Sequence, residues 1–152
     1  MFRYSTGCFN SFLATLKTDM ADGVIKFYTG AQPTSPDAAV TGTYLGMATL
    51  AGGSWDAGTA TNGLEFAAPS GASIDKASAE EWKFVCETAG TIGWGRFVSN
   101  SASDTGGSST TLKRMDFSVG ITSGDCLMSK VTYAVGETGV IQTFNIPLSN
   151  IS

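Results

Sequence analysis

The order of apolar and polar residues changes once along the chain, from a helical period to a strand period. Phe9, Phe12, Leu13, Leu16 and Met20 fall at i, i+3, i+4, i+7 and i+11, a single stripe of a helix. Ser5 or Thr6 offers a hydroxyl that accepts from the free N–H groups at its start. Asp22-Gly23 ends it with a residue that tolerates positive φ. The pattern therefore predicts a helix over 5–22, with its stripe buried against the chain's own sheet.

From residue 23 onward the period is two, in short runs between small-residue loops. Strands are expected over 24–28, 44–50, 63–67, 81–87, 94–99, 112–121, 127–133 and 140–146. The clearest alternation puts Trp82, Phe84 and Cys86 on one face and Lys83, Val85 and Glu87 on the other. Residues 77–81 read as a single helical turn. Gly30, Pro33, Pro36 and Gly42 punctuate a loop over 29–42. The Ser/Gly-rich stretch 100–111 has strands on both sides, so it reads as a long hairpin loop and not as a boundary. About eight strands with turn signals every 8 to 15 residues point to an antiparallel sandwich or barrel. The expectation is one domain, 1–152: an all-β, jelly-roll-like antiparallel β-sandwich over 23–148 with one N-terminal helix.

Composition narrows the chemistry. With 42% hydrophobic and 11% aromatic residues the chain is too apolar to be disordered. Charged residues make up 14%, against about 25% in ordinary domains. Such a surface suits small neutral side chains or coverage by partners. There is no histidine, which removes the commonest general base, the commonest metal ligand and any Ser–His or Cys–His pair. A net charge of −4 with nine scattered Lys and Arg gives no basic face for phosphates, so nucleic acid is not an expected partner. Apolar runs fall short of the roughly 20 residues that span a bilayer, and no membrane association is expected. Met1-Phe2-Arg3-Tyr4 is not followed by a signal-peptide core, so the product is expected to start out in the cytoplasm.

Candidate reactive residues are few. Cys8, Cys86 and Cys126 have no CxxC spacing, so zinc is not expected. They read as reduced, mostly buried thiols, the sharper alternative being one cross-link to a neighbouring subunit. Asp104, Asp116, Asp125, Glu65, Glu80, Glu81 and Glu87 are the available carboxylates, but nothing in their spacing fixes a catalytic pair. Asp19 and Asp22 lie close without a calcium-loop pattern. No catalytic residue, cofactor or metal is expected. Gly93-Trp94-Gly95-Arg96-Phe97 reads as a strand entering the core, the alternative being a stacking platform. Trp55, flanked by a Gly-rich loop, reads as an exposed partner anchor.

Phe27-Tyr28-Thr29-Gly30-Ala31-Gln32-Pro33, followed by Asp37-Ala38-Ala39, Thr41-Gly42-Thr43 and Leu45, resembles a segment of tailed-bacteriophage virion structural proteins. In them an aliphatic strand ends in Tyr-x-Gly-x-Gln-Pro, and Thr-Gly-x-x-Leu opens the next. The later order is similar: Ala89-Gly90-Thr91 before an aromatic and Arg96-Phe97, then Gly124-Asp125 before a strand, then Thr143-Phe144-Asn145-Ile146-Pro147. The likeness spans roughly 5–148, and the chain departs from it in the 100–111 insertion and the three cysteines. It implies a non-enzymatic place in the virion: capsid decoration or cement, or a neck, collar or tail accessory subunit. Partners would be copies of itself, as a homo-oligomer, and other virion proteins. Gln32-Pro33-Thr34-Ser35-Pro36 fixes φ twice and orders its loop at low entropic cost. Contacts are expected at Tyr28, Gln32, Pro33, Pro36, Tyr44, Trp55 and Asp104. The alternative is a carbohydrate- or host-surface-binding fibre module using Trp55, Trp94 and Arg96.

Overall fold

The computed structural model describes residues 2–149. The helix forms where the stripe predicts it. α1 (Thr6–Met20) is capped by Ser5, in extended backbone, whose Oγ accepts from the Cys8 N–H at 3.3 Å. It is followed by Asp22 at φ 58°, the left-handed residue that ends it. Phe9, Leu13 and Met20 are buried, and Leu16 packs on the core. Phe12 departs from the expectation: it is 51% exposed, with its ring against those of Tyr4 and Phe9, at 5.5 and 6.5 Å. The helix lies against a short strand, which covers a narrower face than the apolar stripe provides.

Among the described residues ten strands follow: β1 (Val24–Tyr28), β2 (Tyr44–Leu50), β3 (Ser73–Asp75), β4 (Trp82–Cys86), β5 (Gly90–Thr91), β6 (Trp94–Val98), β7 (Arg114–Gly120), β8 (Cys126–Met128), β9 (Thr132–Tyr133) and β10 (Thr138–Pro147). Most match the predicted runs. The 63–67 run makes only single bridges, Gly23 to Leu64 and Phe66 to Lys76, yet Leu64 and Phe66 are buried as its alternation requires. The 127–133 run divides into β8 and β9. Residues 77–81 form a turn closed by Glu80 N–H to Ala77 O at 3.1 Å, not a turn of helix. β3 and β5 fall in stretches where no strand was expected.

The expected sandwich is instead a closed barrel. Going round, the pairs run β10–β4–β2–β1–β6–β7–β8 and back to β10, with β3 added on β10 and β5–β9 a separate ribbon. Every pair in the ring is antiparallel except β7–β8. That exception is obligatory. Each antiparallel pair reverses direction, so a ring of seven must contain an odd number of parallel pairs. Closure depends on β10, where Gln142 and Thr143 both face out and the inward set shifts from Ile141 to Phe144. The register slips there against β8. This bulge bends β10 so that it serves β4 at one end and β8 beyond it.

A parallel pair ordinarily needs a crossover of a dozen residues, but only five separate β7 from β8. The Asp125 carboxylate makes this possible. It accepts from the Ser118 N–H at 3.0 Å and the Ser118 hydroxyl at 2.7 Å. A Cβ on Gly120 would sit 1.8 Å from Ser123 O, so only glycine admits the return. Inside the barrel the rings interlock: Phe27 meets Phe84 at 5.2 Å, Phe66 meets Phe97 at 5.3 Å, and Phe117 meets Phe144 at 4.8 Å.

Candidate functional site

Alternation along β1, β6 and β7 sends a second set of side chains to the outside of the barrel: Lys26 and Tyr28, Trp94, Arg96 and Val98, Arg114 and Asp116. An outer face should be wet. Here Trp94, Arg96 and Val98 are at most 1% exposed, because the loops 29–43 and 99–113 fold over them. The loops also bond to each other, Val40 N–H to Gly106 O at 3.0 Å and Ser109 N–H to Asp37 O at 2.8 Å.

Two buried arginines fasten this clasp. Arg96 donates Nε to Asp116 Oδ1 at 2.6 Å and Nη2 to Oδ2 at 2.8 Å, and its Nη1 reaches Ala38 O at 3.0 Å in the first loop. Arg114 donates Nε to Asp104 Oδ2 at 2.7 Å and Nη2 to Oδ1 at 2.5 Å, and its Nη1 reaches Gly107 O at 2.8 Å in the second. Both are two-pronged pairings of planar ions, the geometry for which arginine is suited and lysine is not. Asp104 also accepts from Gly106 N–H at 3.0 Å. Desolvation pushes its carboxyl up, but the Arg114 hydrogen bonds and charge, with Gly106, outweigh this and hold it below the usual value. Burial lowers Lys26 and raises Tyr28.

An aromatic ladder continues from the pairs. The Arg96 guanidinium lies 5.5 Å over Trp94, Trp94 stacks on Tyr28 at 4.7 Å, and Tyr28 meets Tyr44 at 5.9 Å. Tyr44 donates its hydroxyl to Glu87 at 2.8 Å. Trp94 Nε1 is buried and has no hydrogen-bond partner among the described residues.

This geometry divides the expected contact residues. Gln32 is exposed, and Pro33 and Pro36 are half-exposed, all on the rim of the clasp. Tyr44 is half-buried. Tyr28 and Asp104, at 5% and 9% exposure, lie beneath the loops and hold the clasp from below. Trp55, expected to be exposed, is not fully so. It is half-buried, its Nε1 donates to Asp22 O at 2.9 Å and Lys26 lies 6.0 Å over its ring. It lines a groove of about 290 Å³ with Met47, Val85 and Glu87. The Trp94 and Arg96 platform lies under the loops. The two ion pairs were not foreseen, although a signal existed: Arg96 and Asp116 are nearly equidistant from the middle of the 100–111 loop, so a symmetric hairpin sets them opposite one another, as found.

Cys86 and Cys126 are buried, and desolvation pushes their thiols up, that of Cys126 to about 12. Cys8 is exposed, so the three thiols are mostly buried, as expected. Among the described residues no cluster of three acidic, Cys or His side chains is placed to hold a metal, and no helix is long and apolar enough to cross a membrane. In comparisons with known proteins, the chain matches no family model, no curated protein and no solved structure.

Proposed function

We propose that the chain is a non-enzymatic structural subunit of a tailed-phage particle, a capsid decoration or cement protein or a neck, collar or tail accessory subunit. It works by contact with copies of itself and with other virion proteins. The observation that carries this reading is the clasp. The segment that bears the phage-like motif, Tyr28 to Leu45, is pinned to a rigid barrel by Arg96 and by the second loop. A contact loop ordered before it meets its partner loses less entropy on binding. Its exposed rim is mostly neutral, with Gln32, Thr34, Thr41 and Thr43 and the single charge of Asp37, so it packs against another protein with little charge to desolvate.

The fibre-module reading gains nothing from this arrangement, since Trp94 and Arg96 are covered and the Trp55 N–H is engaged. Mass spectrometry of purified virions tests the proposal. The chain is expected in the particle at a copy number that matches a ring or a capsid lattice. Its absence from intact virions overturns the reading.

A further inference from the structure

The barrel wall opens beside the end of β8, and we infer that the opening receives a single basic side chain, arginine or lysine, projected by a partner protein. β8 is three residues long. It pairs with β7 only at Val119 and Gly120, and with β10 from Ile141 to Phe144. Past its end a cleft of about 340 Å³ lies between β7 and β10. Alternation sends Met115 and Phe117 of β7 inward, and the shift at the bulge does the same for Phe144 and Ile146 of β10. These four apolar side chains line the cleft. Phe117 and Phe144 belong to the buried core, and Met115 and Ile146 pack on it half-exposed.

The polar side chains of the cleft accept. The exposed Asp125 carboxylate uses Oδ2 for the Ser118 N–H and hydroxyl, and no Lys or Arg among the described residues pairs with it. Asn145 gives its Nδ2 to Asp75 Oδ1 at 2.8 Å, which leaves its amide oxygen to accept. Asp116 is already held by Arg96.

An apolar floor under an anionic rim calls for a group that is apolar along its length and cationic at its tip. Arginine and lysine side chains are built so, with methylenes that cover apolar surface and a head that only donates. Asp125 would repel a carboxylate or phosphate, and a purely apolar side chain would cover it without pairing it. A second copy of this chain is a poor source of the cation. Its net charge is −4, and Lys17, Lys83, Lys113, Lys130, Arg96 and Arg114 already pair with its own carboxylates. The partner is therefore a different protein that presents a basic residue.

The inference rests on the assembly reading above for the source of that partner. The two fail separately, because side-chain binding is measured on the isolated chain and presence in the particle on virions. The probe is the N-acetylated, amidated tripeptide Ala-Arg-Ala, titrated into the 15N-labelled chain. Amide shifts are expected at 115–117, 125 and 145–146, saturating with a Kd on the order of a few millimolar. The citrulline counterpart keeps the stem and lacks the charge, and is expected to bind about 3-fold more weakly. Asp125→Asn is expected to weaken the arginine peptide by a similar factor, the worth of one exposed ion pair. Ile146→Ser, which removes part of the floor, is expected to weaken both peptides alike. No shift localised to the cleft up to roughly 30 mM peptide overturns the inference, and so does equal binding of the citrulline peptide. Should Asp125→Asn unsettle the turn that it holds, the citrulline comparison on the wild-type chain decides alone. If dilution of the unliganded chain moves the same amides, a second copy fills the cleft and the inference is overturned as well.

Discussion

Phe97 and Arg96 are neighbours on β6, and both are fully buried, but on opposite faces of the wall and for opposite reasons. Phe97 lies among Phe66, Trp82 and Phe144. Its burial is favourable in itself, and its neighbours need only fill space. Arg96 is buried because two loops were laid over it. Its desolvation is unfavourable and is offset only by the fork to Asp116 and the bond to Ala38 O. The inner layer is therefore tolerant of chemistry and sensitive to volume. The outer layer is tolerant of volume and sensitive to the loss of any one partner.

The sharpest contrast comes from one substitution in each layer. Phe97→Ala and Asp116→Ala are each expected to cost about 3–5 kcal/mol in a denaturant titration, the first from a cavity and the second from a buried charge left alone. They part company on repair. Adding Arg96→Met to Asp116→Leu is expected to restore most of the loss, because the uncompensated ion is gone. No polar change near Phe97 does the same. A double variant as unstable as Asp116→Ala would show that the outer layer is not held by charge pairing.

Within the inner layer, the missing side chain of Gly95 makes room for the Phe117 ring. A Cβ there would lie 2.6 Å from it. Gly95→Ala is expected to cost about 1–3 kcal/mol, and Phe117→Leu to recover part of this in the same titration.

Acid separates the layers by a different route. The Asp104 carboxyl titrates lower in the folded chain than in the unfolded one. The stability it contributes is thus present above the ordinary carboxylate range and is lost as the pH falls through the folded value. The clasp is expected to loosen at that acid limb, seen as faster amide exchange over 99–113 while the core strands stay protected. Asp104→Asn should remove that step, and core exchange rising in parallel with the loops would contradict the distinction. The smallest effect is at Trp94. Removing its unpartnered N–H by Trp94→Phe is expected to change stability by under about 1 kcal/mol, in either direction, despite full burial.

How much of this could be read from the chain follows the same division. The inner layer was legible because alternation is written locally: Trp82, Phe84 and Cys86 announced their face, and the Ser5 cap and Asp22 stop marked the helix. The closure into a barrel was not, because it rests on a bulge at Gln142-Thr143 and a glycine return at Gly120, neither of which leaves a mark in hydropathy. The clasp was legible only in part. Gln32, Pro33 and Pro36 were placed on a rigid loop with an exposed rim. Asp104 reads from the sequence as a partner contact in the 100–111 loop, since Arg114 lies ten residues away and neither charge alone points to the other.

The cysteines have a practical consequence. Two sulfurs are enclosed, with their ionised forms suppressed, and the third stands in solvent at the first turn of the helix. Thiolate is the form that reacts, so an alkylating gold cluster or fluorophore should attach to the unaltered chain at a single atom. The molecule thus carries its own tagging point, with no engineering needed to follow where it goes.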